Sequence, residues 1–312
     1  MSWTIDDIPD QSGRTAVVTG ANGGLGLATA HALAGAGAHV VMAARNQQKA
    51  AAARDEILAA HPQASLEVVE LDLGSLDSVA RAAAEILERH DRIDLLVNNA
   101  GVMATPEGRT VDGFETQLGT NHLGHWALTS HLLPTVVRTP GSRVVTLTST
   151  AQHTGRALDP SNPHLHEKYD AWRAYGNSKL ANRHFAVGLQ QQLADAGVDT
   201  IALTAHPGLT DSDLQTTTVE SGGGGPLGRF FHQLTKRTGM SVPRGALSQL
   251  RAATDPGARG GTMYGPLLAT TGRPVRRPLV RPGSAKAIQR LWQVSERETG
   301  LSVDVAAALA DR

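Results

Sequence analysis

The sequence predicts an α/β fold in which a doubly wound parallel sheet carries helices on both faces. Short, wholly apolar runs alternate with Ala-rich helical stretches as far as residue 203. Wholly apolar runs suit strands that are buried on both sides. The right-handed crossover rule then leaves the doubly wound arrangement as the natural solution. Neither an internal repeat nor a second domain is evident.

Each predicted element follows from its own pattern. Apolar runs predict six strands, at residues 15–19, 39–43, 66–70, 93–97, 143–147 and 199–203. Helical stretches between them lie at residues 25–35, 47–60, 76–89, 113–137 and 170–196. Pro134 is expected to disturb the end of the fourth helix. Residues 286–299 are predicted to form one more helix.

The alternation stops after the sixth strand. Four consecutive glycines, Gly222 to Gly225, predict a hinge or a disordered loop within a mobile lid at about residues 210–240. Residues 273–282 are rich in Pro and Arg, so this part of a C-terminal extension, about residues 270–312, is expected to lack regular structure. The whole chain, residues 1–312, is predicted to be a single domain.

Composition excludes several classes of function. The 312 residues include 29 Lys+Arg and 29 Asp+Glu, and this zero net charge argues against a dedicated nucleic-acid binder. The absence of cysteine excludes disulfides and thiolate chemistry. The polar first residues do not form a signal peptide, and no apolar run is long enough for a membrane anchor. We therefore expect a soluble cytoplasmic protein.

A glycine-rich segment between the first strand and the first helix predicts a dinucleotide site. Residues 19–26 read Thr-Gly-Ala-Asn-Gly-Gly-Leu-Gly, with Gly20, Gly24 and Gly26 in the spacing Gly-x-x-x-Gly-x-Gly. Glycine permits the sharp turn and lets the backbone approach a pyrophosphate. The N-terminus of the following helix offers free N–H groups to that anion. The segment is typical of a Rossmann-type sheet.

A tyrosine and a lysine four residues apart predict proton transfer. Tyr175 and Lys179 lie on the predicted long helix and therefore share one of its faces. The lysine charge can favour tyrosinate, which would lower the tyrosine pKa from its ordinary value of about 10. The pair alone is a weak signal, because this spacing often arises by chance. Beside a dinucleotide site, it predicts proton transfer coupled to hydride transfer.

The order of the motifs resembles the short-chain dehydrogenase/reductase family over about residues 14–209. The matching segments are Asp72-Leu73, Asn98-Asn99-Ala100-Gly101, Asn121, Ser149, the Tyr175–Lys179 pair and His206-Pro207-Gly208. The long segment between Ser149 and Tyr175, together with Asn121-His-Leu-Gly-His125, is similar to the retinol-dehydrogenase-like branch. Because no N-terminal anchor is expected, retinoid specificity is not implied.

The resemblance implies an oxidoreductase that interconverts a carbonyl and an alcohol. Tyr175 would be the general acid or base, and Ser149 would bind the substrate oxygen. Lys179 would lower the pKa of Tyr175 and bind the nicotinamide ribose, while Asn121 would hold a water that links Lys179 to solvent. The implied cofactor contacts are Gly20, Asn22, Gly24, Leu25, Gly26, Arg45, Asp72, Leu73, Asn99, Ala100, Gly101, Tyr175, Lys179, Pro207, Gly208 and Thr210.

The end of the second strand predicts NADP rather than NAD. NAD binders usually place an acidic residue there, whereas NADP binders use an arginine for the 2′-phosphate. Residues 43–46 read Ala-Ala-Arg-Asn, without an acid. Arg45 offers a planar charged fork suited to phosphate, and Lys49 could add charge.

Two other functions stay open. One is a redox sensor that binds dinucleotide without turnover, although such members generally lack the tyrosine or the lysine. The other is a sugar-nucleotide epimerase or dehydratase, whose usual spacing Gly-x-x-Gly-x-x-Gly is absent here.

The sequence says less about substrate and partners. Trp172, Leu214, Phe230 and Phe231 hint at an apolar small molecule, although packing is the more ordinary role of the phenylalanine pair. The chemistry requires no metal, and the histidines, His164 and His166 included, are interpreted as surface or packing residues. Related proteins favour a homodimer or homotetramer, with no nucleic acid and no membrane anchor.

Overall fold

The protein is built around one eight-stranded sheet. The structure is a computed structural model that describes residues 3–167, 169–211, 218, 222–278 and 283–310. The side chains of residues 226, 227, 229–232 and 234 are not described. The strand order is β3-β2-β1-β4-β5-β6-β7-β8. The strands are β1 (Thr15–Thr19), β2 (His39–Ala44), β3 (Ser65–Glu70), β4 (Leu95–Asn98), β5 (Arg143–Leu147), β6 (Ile201–Ala205), β7 (Met263–Pro266) and β8 (Pro274–Arg277).

Helices connect the strands. They are α1 (Gly24–Gly35), α2 (Gln47–Ala60), α3 (Leu76–Arg89), α4 (Thr116–Leu118), α5 (Gly124–Arg138), α6 (Ala171–Asp195), α7 (Gly225–Thr238), α8 (Val242–Thr254), α9 (Ala285–Thr299) and α10 (Val305–Ala310). A π-helical turn, Gly119–Leu123, joins α4 to α5. Within the described residues, no helix combines the length and the apolar character that crossing a bilayer requires.

The sheet confirms the doubly wound α/β fold. All neighbouring strands from β3 to β7 pair in parallel, and the order reverses between β1 and β4. One apolar core packs α1, α2 and α8 against one face, and a second packs α3, α5 and α6 against the other. In such sheets the ligand site lies beyond the carboxyl ends of the strands, where the order reverses.

Pro134 does not end its helix. It lies inside α5, which continues to Arg138. A proline removes one helical hydrogen bond. Leu132, Leu133 and Val136 around it are buried in the core, and this packing keeps the helix continuous. The departure from regular α-helix comes earlier, at the π-helical turn.

The last third of the chain differs from expectation in two places. The glycine run is shorter than the predicted hinge or loop, because Gly225 is the first residue of α7. Pro274–Arg277, expected to be irregular, forms β8, antiparallel to β7. A proline is tolerated there because β8 is an edge strand, where not every N–H has to donate. Helix α8 and strand β7 were also not predicted.

The C-terminal helices cover the outer face of α5 and α6. Trp126 of α5 is fully buried and donates its indole N–H to the Leu301 carbonyl at 2.9 Å. Its ring lies 5.1 Å from that of Trp292 in α9, between centroids. Gly188 of α6 makes room for the Trp292 indole, since a Cβ on Gly188 would lie 2.4 Å from that ring. The extension is therefore part of the core.

Candidate active site

A cavity of about 530 Å³ opens at the carboxyl ends of β1, β2, β4 and β5. Most of the residues that sequence motifs assigned to a cofactor line it: Gly20, Asn22, Gly24, Leu25, Gly26, Arg45, Asp72, Leu73, Asn99, Ala100, Gly101, Tyr175, Lys179 and Pro207. Gly208, Thr210, Asn121 and Ser149 do not line the cavity itself. The motifs therefore converge on one place, as the fold requires.

The glycine-rich turn leaves space for a pyrophosphate. Gly20 has a φ of +68°, which favours glycine. A Cβ on Gly26 would lie 2.1 Å from the Gly20 carbonyl oxygen and 2.6 Å from Nδ2 of Asn99. The N-terminus of α1, which begins at Gly24, lies at the same cavity. This cradle of backbone N–H groups fits the diphosphate of a dinucleotide.

Asn99 ties this turn to the neighbouring strand. Its Nδ2 donates to the Thr19 carbonyl at 2.7 Å, and its backbone N–H donates to Thr19 Oγ1 at 2.9 Å. Its Oδ1 accepts a hydrogen bond from Gln249 of α8 at 3.2 Å. The amide side chain therefore holds the walls of the cavity together, a role that the sequence did not predict.

The Arg45 guanidinium is largely exposed at the adenosine end of the cavity. Its side chain is 78% exposed, and its Nη1 lies 4.0 Å from Oδ2 of Asp72. Asn46 accepts a hydrogen bond from the Lys49 N–H at 2.9 Å and so caps α2. Both Arg45 and Lys49 line the cavity. A long, weakly paired arginine can turn toward a phosphate at little cost in free energy.

Tyr175 and Ser149 meet at the end of β5. Tyr175 on α6 is 5% exposed, and burial raises the pKa of its phenol, while a hydrogen bond with the Ser149 side chain lowers it. Burial is the larger effect, so the pKa of Tyr175 lies above its usual value. Ser149 is placed by the short turn Thr150–His153, which it caps.

Lys179 does not act on the phenol in the way the sequence predicted. Its Nζ lies 5.8 Å from the centroid of the Tyr175 ring. Burial lowers the pKa of Lys179 from 10.5 to about 8. This ammonium does not lower the Tyr175 pKa as expected, and burial raises that pKa by more than the Ser149 hydrogen bond lowers it.

Two glycines allow the Ser149 segment to approach α6. A Cβ on Gly155 would lie 2.2 Å from the carbonyl oxygen of Gly176, the residue after Tyr175. From the end of β5, Thr148 Oγ1 donates to the Lys179 carbonyl at 2.8 Å. These contacts fix the serine beside the tyrosine, and they explain why a segment longer than the compact Ser-x-x-Gly pattern still places it there.

The Asn121 amide is committed to the protein. Its Nδ2 donates to the Val102 carbonyl and to Ser178 Oγ, both at 2.9 Å, and its Oδ1 accepts from the Val102 N–H at 2.7 Å. A Cβ on Gly101 would lie 2.9 Å from that Oδ1 and 3.3 Å from Lys179 Nζ. Asn121 and Lys179 therefore meet at Gly101. Since both amide hydrogens are used, a water would have to bind Asn121 through an oxygen.

His125 joins Asn121 to the first strand, a role that was not predicted from the sequence. Its Nδ1 lies 3.0 Å from the Asn121 carbonyl oxygen and must carry the proton, so its Nε2 accepts from Thr19 Oγ1 at 2.9 Å. That hydroxyl accepts two backbone N–H groups, from Asn99 and Ala100, at 2.9 Å each. Burial lowers the pKa of His125 to about 4 and keeps the ring neutral. Its place four residues after Asn121 was the available signal.

Gly224, in the segment predicted to form a lid, contacts two neighbouring segments of the chain. Gly224 donates its N–H to the Ala104 carbonyl at 2.8 Å, and its own carbonyl accepts from the Trp172 indole at 3.2 Å. The Trp172 ring stands edge-on to Tyr175, at 6.4 Å between centroids. Trp172, which the sequence analysis associated with an apolar ligand, therefore lies beside the phenol of Tyr175. Leu214 and the side chains of Phe230 and Phe231 lie outside the described residues.

The two histidines considered for a metal serve other contacts. His164 Nε2 lies 3.0 Å from Oε2 of Glu298, and His166 Nδ1 lies 2.9 Å from Nη2 of Arg109. His206 shapes the turn after β6, as predicted, because its Nδ1 accepts from the Gly208 N–H at 3.2 Å.

Comparison with known proteins agrees with this geometry. Residues 14–222 match the short chain dehydrogenase family. The chain belongs to this family. Human retinol dehydrogenase 13 is 35% identical over 293 residues, which cover 93% of this chain and 85% of that protein. Mouse retinol dehydrogenase 11 is 42% identical over 202 residues, 65% of this chain and 63% of the relative. The chain therefore falls in the retinol-dehydrogenase-like branch.

The fold has a similar solved structure. A crystal structure of an uncharacterized protein from Mycobacterium paratuberculosis is 38% identical, with a TM-score of 0.79, and covers 97% of this chain and 99% of the other. Family membership makes the protein a nicotinamide-dependent dehydrogenase/reductase.

Proposed function

We propose that the enzyme interconverts a ketone or aldehyde and an alcohol, with NADP(H) as cofactor and Tyr175 as general acid/base. The observation that carries this proposal is the position of Tyr175 in the wall of the cavity, where its phenol contacts the hydroxyl of Ser149 and lies near the ammonium of Lys179. They lie beside a glycine cradle that suits a diphosphate. This combination serves proton transfer next to a redox cofactor.

The chain supplies the proton chemistry. When bound, NADPH would supply the hydride for a substrate carbonyl carbon. Tyr175 would donate its phenolic proton to the oxygen that becomes negative, and Ser149 would hold the same oxygen by a hydrogen bond. In alcohol oxidation, the tyrosinate would take that proton back. Because burial raises its pKa, the Tyr175 phenol keeps its proton at neutral pH, which is the form that the reduction direction requires.

Lys179 would hold the cofactor ribose and supply protons to Tyr175. Its pKa of about 8 lets it give and take a proton near neutrality, which an ordinary lysine does not do. Asn121 would continue the relay through a water on its side-chain or backbone oxygen, because its amide hydrogens are occupied. Thr19 and His125 would keep that backbone carbonyl in place.

The preference for NADP rests on the end of β2. Arg45 and Lys49 both line the cavity, and residues 43–46 contain no acid to bind a ribose hydroxyl. The Arg45 guanidinium forms a long ion pair with Asp72, at 4.0 Å. A guanidinium in this position suits the 2′-phosphate of NADP.

An apolar alcohol or aldehyde is the substrate class that we propose. Val102, Met103 and Leu147 line the cavity, and Trp172 stands beside Tyr175. The names of the retinol dehydrogenase relatives point the same way. We further propose that residues 1–312 act as one domain, with the segment of residues 210–240 as a lid over the substrate. The cytoplasmic location stays a prediction.

A homo-oligomer also stays a prediction, but its surface would differ from the one that the family suggests. Many relatives pair through the helices equivalent to α5 and α6. Here α9 and α10 of the same chain pack against these helices, and Trp126 is buried under Trp292. A second copy would therefore bind elsewhere.

The alternative, a sensor without turnover, is distinguished by one screen. NADPH and NADH are offered separately with a panel of ketones and aldehydes, including long apolar aldehydes, and the loss of absorbance at 340 nm is followed. We expect turnover with NADPH and an apolar carbonyl. Tight NADPH binding without hydride transfer across the panel would favour the sensor, and a tenfold or greater preference for NADH would overturn the cofactor assignment.

A further inference from the structure

Three metal-ligand side chains meet at the amino edge of the sheet, opposite the active site. His39 is the first residue of β2, Glu67 lies on β3, and His90 follows the last residue of α3. The parallel register sets His39 beside Ser65, and Val41 beside Glu67. Because α3 runs antiparallel to the strands, its end returns to the same edge. Residues far apart in sequence thus form one cluster.

The distances within this cluster suit a small ion. His90 Nε2 lies 2.6 Å from Glu67 Oε1, and His39 Nε2 lies 3.7 Å from the same oxygen. The three ligand atoms all lie within 4.8 Å of one another. In a tetrahedral zinc site with bonds of 2.0–2.1 Å, neighbouring donor atoms are about 3.4 Å apart. Small rotations of the imidazoles and the carboxylate would produce that spacing.

His39 is prepared to act as a ligand. Its Nδ1 lies 2.7 Å from Ser65 Oγ, while its Nε2 is enclosed and has no hydrogen-bond partner among the described residues. A metal-bound histidine usually donates its other ring N–H to such a neighbour, which fixes the tautomer and the ring orientation. The serine can fill this role and leave the Nε2 lone pair for an ion.

The protonation states favour coordination. Burial lowers the pKa of His39, so its ring is neutral at pH 7. Burial of Glu67 opposes ionisation, but its hydrogen bonds with His90 and Arg89 help to lower its pKa overall. Arg89 Nη1 lies 3.3 Å from Glu67 Oε2, and leaves Oε1 to face the two imidazoles. A carboxylate and two imidazoles are a common zinc ligand set.

We propose that His39 Nε2, His90 Nε2 and the carboxylate of Glu67 form a site for a divalent transition-metal ion of the zinc type. A water would complete the tetrahedron on the exposed side. The ion would take the place of the hydrogen bond between His90 Nε2 and Glu67 Oε1, and the remaining proton of the imidazole would lie on Nδ1. It would connect β3, the edge strand of the sheet, to β2 and to the end of α3. The expected consequence is stabilisation of this edge.

Titration of the tag-free, metal-stripped enzyme with ZnCl₂ tests this proposal. Calorimetry should show one equivalent bound, with a Kd of about 10 μM or tighter, and zinc should raise Tm in a manner reversed by EDTA. His39→Gln and His90→Gln should each weaken binding at least about tenfold. Circular dichroism spectra and melting curves of the metal-free variants test whether these variants fold.

A second pair of histidines provides the matched control. His31 and His61 lie 4.6 Å apart between ring centroids, and the described residues place no carboxylate with them to form a three-ligand set. His61→Gln should leave zinc binding unchanged. The visible absorption of a Co²⁺ adduct should show a tetrahedral site that both His39→Gln and His90→Gln abolish. Zinc binding weaker than about 100 μM, or equal losses in the control, would overturn the proposal.

Discussion

The two edges of the sheet hold polar side chains in different ways. At the carboxyl edge, Tyr175 and Lys179 are each 5% exposed, and backbone groups fix the residues around them. At the amino edge, the side chains of His39, Glu67 and His90 are 27%, 18% and 14% exposed, and they are held mainly by one another. The first arrangement sets protonation states by burial. The second can adjust its geometry to an ion.

The difference shows what each edge can do. The fixed groups in the cavity at the carboxyl edge suit catalysis, because they need little reorganisation when charge develops. At the amino edge the side chains are partly exposed, and His39 Nε2 is enclosed without a hydrogen-bond partner among the described residues. Such groups suit a ligand that supplies its own charge. If this distinction is correct, substitutions at one edge should leave the function of the other intact.

Tyr175→Phe should show the largest difference between the two edges, because it should abolish turnover and leave zinc binding intact. It removes the phenolic proton but retains the ring, so turnover should fall by about a hundredfold or more. NADPH binding, followed by fluorescence, and zinc binding should both persist. Tyr264→Phe, at a buried tyrosine of β7, is the control and should keep turnover. Near-normal turnover in Tyr175→Phe would refute the assigned role.

Lys179→Met should abolish most turnover and yet stabilise the protein. Burial lowers the pKa of Lys179 from 10.5 to about 8, so at pH 7 the folded state carries a charge that it solvates poorly. Its removal should raise the free energy of unfolding by on the order of 3 kcal/mol at pH 7.

The pH dependence of this gain is fixed in sign. Between pH 8 and 10.5 the unfolded lysine binds more protons than the folded one, so the parent enzyme becomes more stable as pH rises. The advantage of Lys179→Met should therefore shrink across this interval in urea unfolding at stepped pH. An equal gain at pH 7 and pH 10, or a loss at pH 7, would show that burial does not depress this pKa.

Arg45→Gln should weaken the preference for NADP with a smaller effect. Loss of a charged partner for the 2′-phosphate should lower kcat/KM for NADPH about tenfold and leave that for NADH nearly unchanged. Arg54→Gln on α2, whose arginine pairs with Asp55, is the control. Equal losses with both cofactors would mean that Arg45 does not read the phosphate.

His125→Asn should have the smallest effect on rate. It breaks the hydrogen bonds to Thr19 and Asn121, which should cost about 1–3 kcal/mol of stability and lower turnover a few-fold. Chemical unfolding and initial rates measure the two effects. His131→Asn on the same helix leaves this hydrogen-bond chain intact, and an equal loss of turnover in that variant would deny His125 a specific role.

Residues at the carboxyl edge of the sheet could be predicted from the sequence because each signal lies within a short segment of the chain. A glycine that must adopt a positive φ, such as Gly20, and apolar runs such as β1 and β5 are visible without knowledge of their neighbours. The same holds for the spacing of Tyr175 and Lys179 along one helix. These local features are enough to predict that the residues lining the cavity lie together.

The features that the sequence missed depend on distant partners. Strand β8 forms because Pro274 pairs at the edge with β7, and α7 begins at a glycine where a loop was expected. The pKa of Tyr175 rises rather than falls because of burial, which no spacing reveals and which outweighs the Ser149 hydrogen bond. The cluster of His39, Glu67 and His90 exists only through the register of β2 and β3.

The most direct test of the central claim is the pKa of Tyr175, measured by NMR on enzyme labelled at the phenolic carbon of tyrosine. The chain has three tyrosines, so assignment by Tyr→Phe substitution is simple. In the free enzyme the pKa should lie above its ordinary value of about 10, and NADP⁺ should lower it in the parent but less in Lys179→Met. A Tyr175 pKa that stays above 10 with NADP⁺, in an enzyme that still oxidises alcohols at neutral pH, would contradict the account.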